Sequence, residues 1–119
     1  MTMIYCVEDD KSIREIEMYT LQSTGFETKG FEDGHSFFEE LKEKKPDLIL
    51  LDVMLPDGDG FELCKYLKSR ADTPVIFLTA KDEEQDVIKG LELEAEDYII
   101  KPFRTRELIL KMREYSENI

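Results

Sequence analysis

The sequence predicts an α/β fold: an open five-stranded parallel sheet with helices on both faces. Short β-rich runs alternate with amphipathic stretches from one end of the chain to the other, the pattern of repeated strand–helix units. Three of the five runs are apolar almost throughout, as strands covered on both faces tend to be. The 119 residues suit a single core, because domains commonly close at roughly 100 to 150 residues.

The strands are predicted at 3–7, 26–30, 48–51, 75–78 and 98–100. Between the first two, residues 12–23 put Ile13, Ile16, Thr20 and Leu21 on one helical face, and Gly25 suits a helix stop. The second helix uses Phe38 and Leu41 before Pro46 ends it, and the third uses Phe61, Cys64 and Leu67. A fourth, about 83–93, is expected to bury Val87, Ile88 and Leu91. The last runs from Thr105, a candidate N-cap, towards Ser116 with Leu108, Met112 and Tyr115 inward. Each parallel neighbour requires a crossover, and right-handed crossovers lay the helices over both faces.

Composition removes several classes of function. Apolar residues make up 41% of the chain but occur in runs far too short for a bilayer, which takes ~20 residues to span. The start of the chain lacks a basic region followed by an apolar stretch and cleavage site, so a soluble, cytoplasmic protein without a membrane partner is expected. A net charge of −12 repels phosphate backbones, so this chain alone is expected to bind no nucleic acid. Cys6 and Cys64 stand at unrelated positions and read as reduced packing residues.

In open parallel sheets the site lies beyond the carboxyl ends of the strands. Glu8, Asp9 and Asp10 stand there after the first strand, Asp52 after the third, Thr79 after the fourth and Lys101 after the fifth. Carboxylates brought together repel by ~4 kcal/mol per pair at 4 Å in an effective dielectric of 20, and so require a compensating cation. Mg²⁺ suits oxygen ligands and is commonly held by one or two carboxylates plus a phosphate. With Lys101 as a fixed charge and Thr79 as a hydroxyl donor, the set describes a phosphoryl site with a carboxylate nucleophile. Taken singly, each of these residues reads as a solvated strand end.

Four blocks resemble the successive signatures of response regulator receiver domains. They are Val7-Glu8-Asp9-Asp10, Leu50-Leu51-Asp52-Val53-Met54-Leu55-Pro56-Asp57-Gly58-Asp59-Gly60, Leu78-Thr79-Ala80-Lys81 and Asp97-Tyr98-Ile99-Ile100-Lys101-Pro102-Phe103. Arg104-Thr105-Arg106-Glu107-Leu108 resembles the last helix of the OmpR/PhoB branch. The resemblance implies a flavodoxin-like sheet of order 2-1-3-4-5 and a cis peptide before Pro102. It further implies that Asp52 takes a phosphoryl group from the phosphohistidine of a sensor histidine kinase, with Lys101 and Thr79 contacting phosphoryl oxygens. Mg²⁺ would be held by Asp9, Asp52 and the backbone carbonyl of Met54, with Glu8 bound directly or through water. Thr79 and Tyr98 would act as the switch, the ring of Tyr98 swinging inward. The fourth helix, fifth strand and fifth helix would form a homodimer on phosphorylation, with Asp97, Lys111, Glu107 and Lys89 on that surface. The branch usually adds a C-terminal winged-helix domain. Residues 1–119 are therefore expected to be a receiver domain whose DNA-binding effector domain lies outside this chain. The alternative is a stand-alone receiver that relays phosphate or docks to partners.

Bland readings apply to several residues. Asp10 is expected to cap the first helix, His35 to lie on the surface, and Tyr98 reads equally as a strand aromatic. Asp57-Gly58-Asp59-Gly60 reads as a turn; as a calcium loop starting at Asp57 it would place Lys68 where a bidentate glutamate belongs. Two departures from the family pattern stand out. Glu94 replaces a usual glycine, where a positive φ would strain it and rearrange the loop. Val87 replaces a basic residue that pairs across the dimer with the position of Glu107. An aspartate-nucleophile phosphohydrolase would need an acid at Met54, so an enzyme acting on other substrates is not expected.

Overall fold

The computed structural model describes residues 1–117. Its main sheet contains β1 (Met3–Val7), β2 (Glu27–Phe31), β3 (Leu48–Leu51), β6 (Val75–Thr79) and β7 (Asp97–Ile100). All neighbours are parallel, in the order β2-β1-β3-β6-β7. A small antiparallel pair, β4 (Met54–Leu55) and β5 (Gly58–Asp59), follows β3. With that pair set aside, the order is the expected 2-1-3-4-5. The helices are α1 (Lys11–Gln22), α2 (Gly34–Glu43), α3 (Gly60–Lys68), α4 (Glu84–Glu92) and α5 (Thr105–Ser116).

Period-two alternation divides the core into two layers. Tyr5, Val7, Ile49, Leu51, Phe77 and Tyr98 face α2, α3 and α4, where they meet Phe37, Phe61 and Cys64. Ile4, Cys6, Leu50, Ile76, Leu78 and Ile99 face α1 and α5, where they meet Leu21, Leu108 and Met112. Both cysteines are free and buried. Among the described residues no helix is long and apolar enough to cross a membrane.

The structure corrects the helical faces in two places. In α1, Ile16 is exposed while Glu17 is only 1% exposed. Residue 17 lies four after Ile13 and three before Thr20, whereas residue 16 is turned about 100° aside. In α4, Ile88 and Leu91 are exposed, because the helix seats on the sheet through Gly90 and Val87. Smaller differences concern β2, which starts one residue later than expected, and α5, whose N-cap is Arg104 with no side-chain cap bond.

In the turn before β7, Glu94 adopts φ 69°, the positive φ expected at this position. A side chain there costs about 1 kcal/mol or more relative to glycine. Glu94→Gly should therefore raise stability by about 1 kcal/mol, read as a higher urea midpoint with unchanged slope; a lowered midpoint would show that the turn is not strained.

Candidate functional site

Four strands end on one rim. β1 leads into Glu8 and Asp9, β3 into Asp52, β6 ends at Thr79, and β7 leads directly into Lys101, whose bond to Pro102 is cis. Lys101 Nζ donates to Glu8 Oε1 and, at 2.8 Å, to Asp52 Oδ2. Asp52 Oδ1 accepts from the Met54 backbone N–H at 3.1 Å, and Glu8 Oε2 from that of Asp10 at 3.1 Å. Asp52 is 3% exposed and Glu8 is buried as deeply, while Asp9 is open to solvent.

Two buried carboxylates thus share one ammonium, and a third stands beside them. Burial holds the Glu8 carboxyl above its usual range, although hydrogen bonds from Lys101 and Asp10 pull against it. Burial would lower Lys101, but its hydrogen bonds to Asp52 and Glu8 outweigh that and raise it. Carboxylate oxygens of Glu8, Asp9 and Asp52 all lie within 4.8 Å of one another. That is a hard-oxygen set of the kind that takes a small divalent cation.

Thr79 is fully buried, and its Oγ1 accepts from the Lys81 backbone N–H at 3.3 Å. Tyr98 already points inward. Its hydroxyl donates to the Lys81 carbonyl at 2.7 Å, and its ring centroid lies 5.7 Å from that of Phe77. Burial pushes the phenol up to about 12, so it remains a donor near neutral pH. Gly90 makes room for the ring, since a Cβ there would lie 2.8 Å from Tyr98 Cδ2.

The profile of the response regulator receiver domain matches residues 4–113. The chain belongs to that family. Among solved structures, this receiver is similar to the BeF3-activated DrrB receiver domain, with 36% identity, TM-score 0.90 and 98% of each chain covered. Against response regulator DrrB, a Thermotoga maritima OmpR/PhoB homolog, the identity is 37% and the TM-score 0.90, covering 99% of this chain but 54% of DrrB. The BeF3-activated N-terminal receiver domain of Klebsiella pneumoniae RstA gives 32% identity and a TM-score of 0.92, covering 97% of this chain and 98% of that one. The chain is thus a receiver domain of two-component response regulators, with OmpR/PhoB-type neighbours.

Around the receiver's acidic rim stand residues that sequence reasoning passed over. Arg14 on α1 donates from Nη1 to the Glu8 backbone carbonyl at 2.7 Å, tying down the loop that carries the acids. Asp10 caps α1, as expected, by accepting from the Ile13 N–H at 3.0 Å. The stretch 57–60 is a turn, as expected, yet three of its residues have a task. Asp57 accepts from the N–H groups of Gly34 and His35, both at 2.9 Å, and so satisfies the start of α2 from another part of the chain. Asp59 caps α3 at the Phe61 N–H, 2.8 Å away. Gly60 passes directly against the acidic residue that follows β3: a Cβ there would lie 2.2 Å from the Asp52 carbonyl oxygen and 2.7 Å from Val53 Cα. Exposed His35 has no part in the rim.

Glu17 is the other residue without a sequence signal. Its Oε1 has no hydrogen-bond partner, and burial pushes its carboxyl up to about 9.

The expected dimer residues separate into two groups. Asp97 and Lys111 pair within one chain at 2.7 Å, braced by the Tyr115 hydroxyl, and Glu107 is exposed on α5. Ile88 and Leu91 of α4 and Leu110 of α5 add exposed apolar surface. Lys89 instead stretches its ammonium 4.9 Å above the Phe61 ring, toward α3. Val87 packs against the core.

Proposed function

We propose that this receiver domain takes a phosphoryl group from the phosphohistidine of a sensor histidine kinase onto Asp52. The observation that carries the reading is the single ammonium of Lys101 spanning two buried acids, Glu8 and Asp52, beside the solvent-open Asp9. Such a cluster leaves negative charge uncompensated in a poorly solvated place, which favours chemistry that brings in a cation and a phosphoryl group together. The donor set fits Mg²⁺. Asp9, Asp52 and the Met54 backbone carbonyl would hold it, with Glu8 bound directly or through water. The ion supplies charge neutralisation for phosphoryl oxygens.

The Asp52 carboxylate attacks phosphorus, the P–N bond breaks, and the imidazole leaves with the bonding pair. Asp52 becomes an acyl phosphate. Lys101, already 2.8 Å from Asp52, holds a phosphoryl oxygen. The Thr79 hydroxyl turns from the Lys81 N–H to another oxygen, and Tyr98 keeps the inward pose beside it. Phosphorylation adds about −1.5 to −2 charge, enough to favour the backbone state that brings donors toward it. Phosphoramidate, which carries a P–N bond, should modify the domain in the presence of Mg²⁺. Ordinary phosphate monoesters should not be turned over; steady turnover would mark the protein as a phosphohydrolase.

The output is dimerisation through α4, β7 and α5, with Glu107, Asp97 and Lys111 around the exposed Ile88, Leu91 and Leu110. Val87 removes the usual cross-dimer charge pair, but exposed pairs contribute only about 0–1 kcal/mol, so apolar contact is left to carry the interface. Sedimentation with beryllofluoride and Mg²⁺ should convert monomer to dimer; a persistent monomer at high concentration would refute this output. Because the chain spans 54% of the OmpR/PhoB homolog DrrB, a DNA-binding effector domain outside these residues would convert dimerisation into transcriptional control in the cytoplasm.

A further inference from the structure

A cavity of about 220 Å³ opens between α2 and α3 at the amino-terminal end of β3, away from the acidic rim and from α4 and α5. Its walls are apolar: Phe38 and Leu41 from α2, Tyr66 and Leu67 from α3, with Ile49 as the floor. The Phe38 and Tyr66 rings meet edge to face at 5.1 Å and fix one side.

The charged residues at its rim are all basic, and of these Lys42 is paired with exposed Glu39 at 3.0 Å, which leaves Lys45 and Arg70 to meet a ligand. Lys42, Lys45 and Arg70 border the opening, and none of the residues lining it is acidic, although the chain holds 28 acids against 16 bases. The Arg70 guanidinium lies 3.8 Å over the Tyr66 ring, and Lys45 has no ion pair among the described residues. In a molecule of net charge −12, this rim is a local exception that selects an anion. An apolar cavity of about 150 Å³ holds benzene, so this one has room for a single ring with a short arm.

We propose that the α2–α3 cavity binds a small aromatic carboxylate, its ring between Leu41 and Tyr66 and its acid group at Lys45 and Arg70. A two-dimensional amide NMR titration with phenylacetate and 3-phenylpropionate, and with phenylacetamide as the neutral control, tests it. Expected are saturable shifts confined to residues 38–49 and 66–73, with the acids binding about five-fold or more tighter than the amide. Lys45→Glu, an exposed change that leaves the core alone, should weaken the acids by about five-fold or more and leave the amide unaffected. Leu41→Trp, filling the cavity, should abolish saturation. Any one of three results overturns the proposal: no saturation by about 10 mM, equal binding of acid and amide, or shifts centred elsewhere. Binding of acidic peptides in place of the small acids would overturn it as well.

Discussion

Gly60→Ala is expected to lower the stability of the domain by about 3 kcal/mol or more and to depress phosphoryl uptake at Asp52. A Cβ at residue 60 would meet the Asp52 carbonyl oxygen at 2.2 Å and Val53 Cα at 2.7 Å, and backbone atoms cannot rotate out of the way. Either the Asp52 segment moves or α3 does. Because Gly60 does not have a positive φ and begins α3, helix propensity alone predicts the opposite, a gain of up to about 1 kcal/mol for alanine. The sign of the change therefore separates close approach from local preference. A urea midpoint lower by about 1 to 2 M is the expected reading, and a midpoint at or above that of the wild type would show that the contact is relieved cheaply.

Glu17→Met is expected to stabilise the receiver by about 2 kcal/mol at neutral pH, by removing a buried carboxyl with an unpartnered oxygen. The gain should also depend on pH. In the folded protein burial raises the Glu17 pKa from 4.5 to about 9, while the unfolded chain keeps the ordinary value. Folding then takes up a proton between those two values. Stability from this group is fully present below the unfolded pKa and is lost as pH rises toward the folded one, with a limiting slope of about 1.4 kcal/mol per pH unit. The wild type should weaken against Glu17→Met between about pH 5.5 and about pH 8.5. A gap that stays constant across that range would mean that Glu17 finds a charged partner. The same carboxyl adds to the burial that pushes up the Cys6 thiol, so Glu17→Met should leave that thiol closer to its usual range.

The strands were legible because parallel strands covered on both faces are written as unbroken apolar runs, and Leu48 to Leu51 is such a run. Glu8, Asp9, Asp52, Thr79 and Lys101 were legible for a related reason: each follows such a run directly, so locating the strand end locates the residue. What identity alone could not supply was orientation. Ile16, Ile88 and Leu91 are apolar and were read as inward, yet the sheet seats α1 through Glu17 and Thr20, and α4 through Gly90. Glu17 lay on the expected face and was passed over because it is charged. The contacts of Gly60 and Asp57 arise only when the turn after β3 folds back on Asp52 and on α2, so no local pattern marks them. Tyr98 was placed correctly in its strand, but its inward pose depends on the missing side chain at Gly90, a residue eight positions away.

Asp52 is expected to be the phosphoryl acceptor of the acidic rim. Intact-mass spectrometry after treatment with acetyl phosphate and Mg²⁺ tests it directly, with Asp52→Asn and Asp9→Asn treated alongside. One labile phosphoryl group is expected on the wild type, little on Asp9→Asn, and none on Asp52→Asn. Equal modification of the wild type and Asp52→Asn would contradict it.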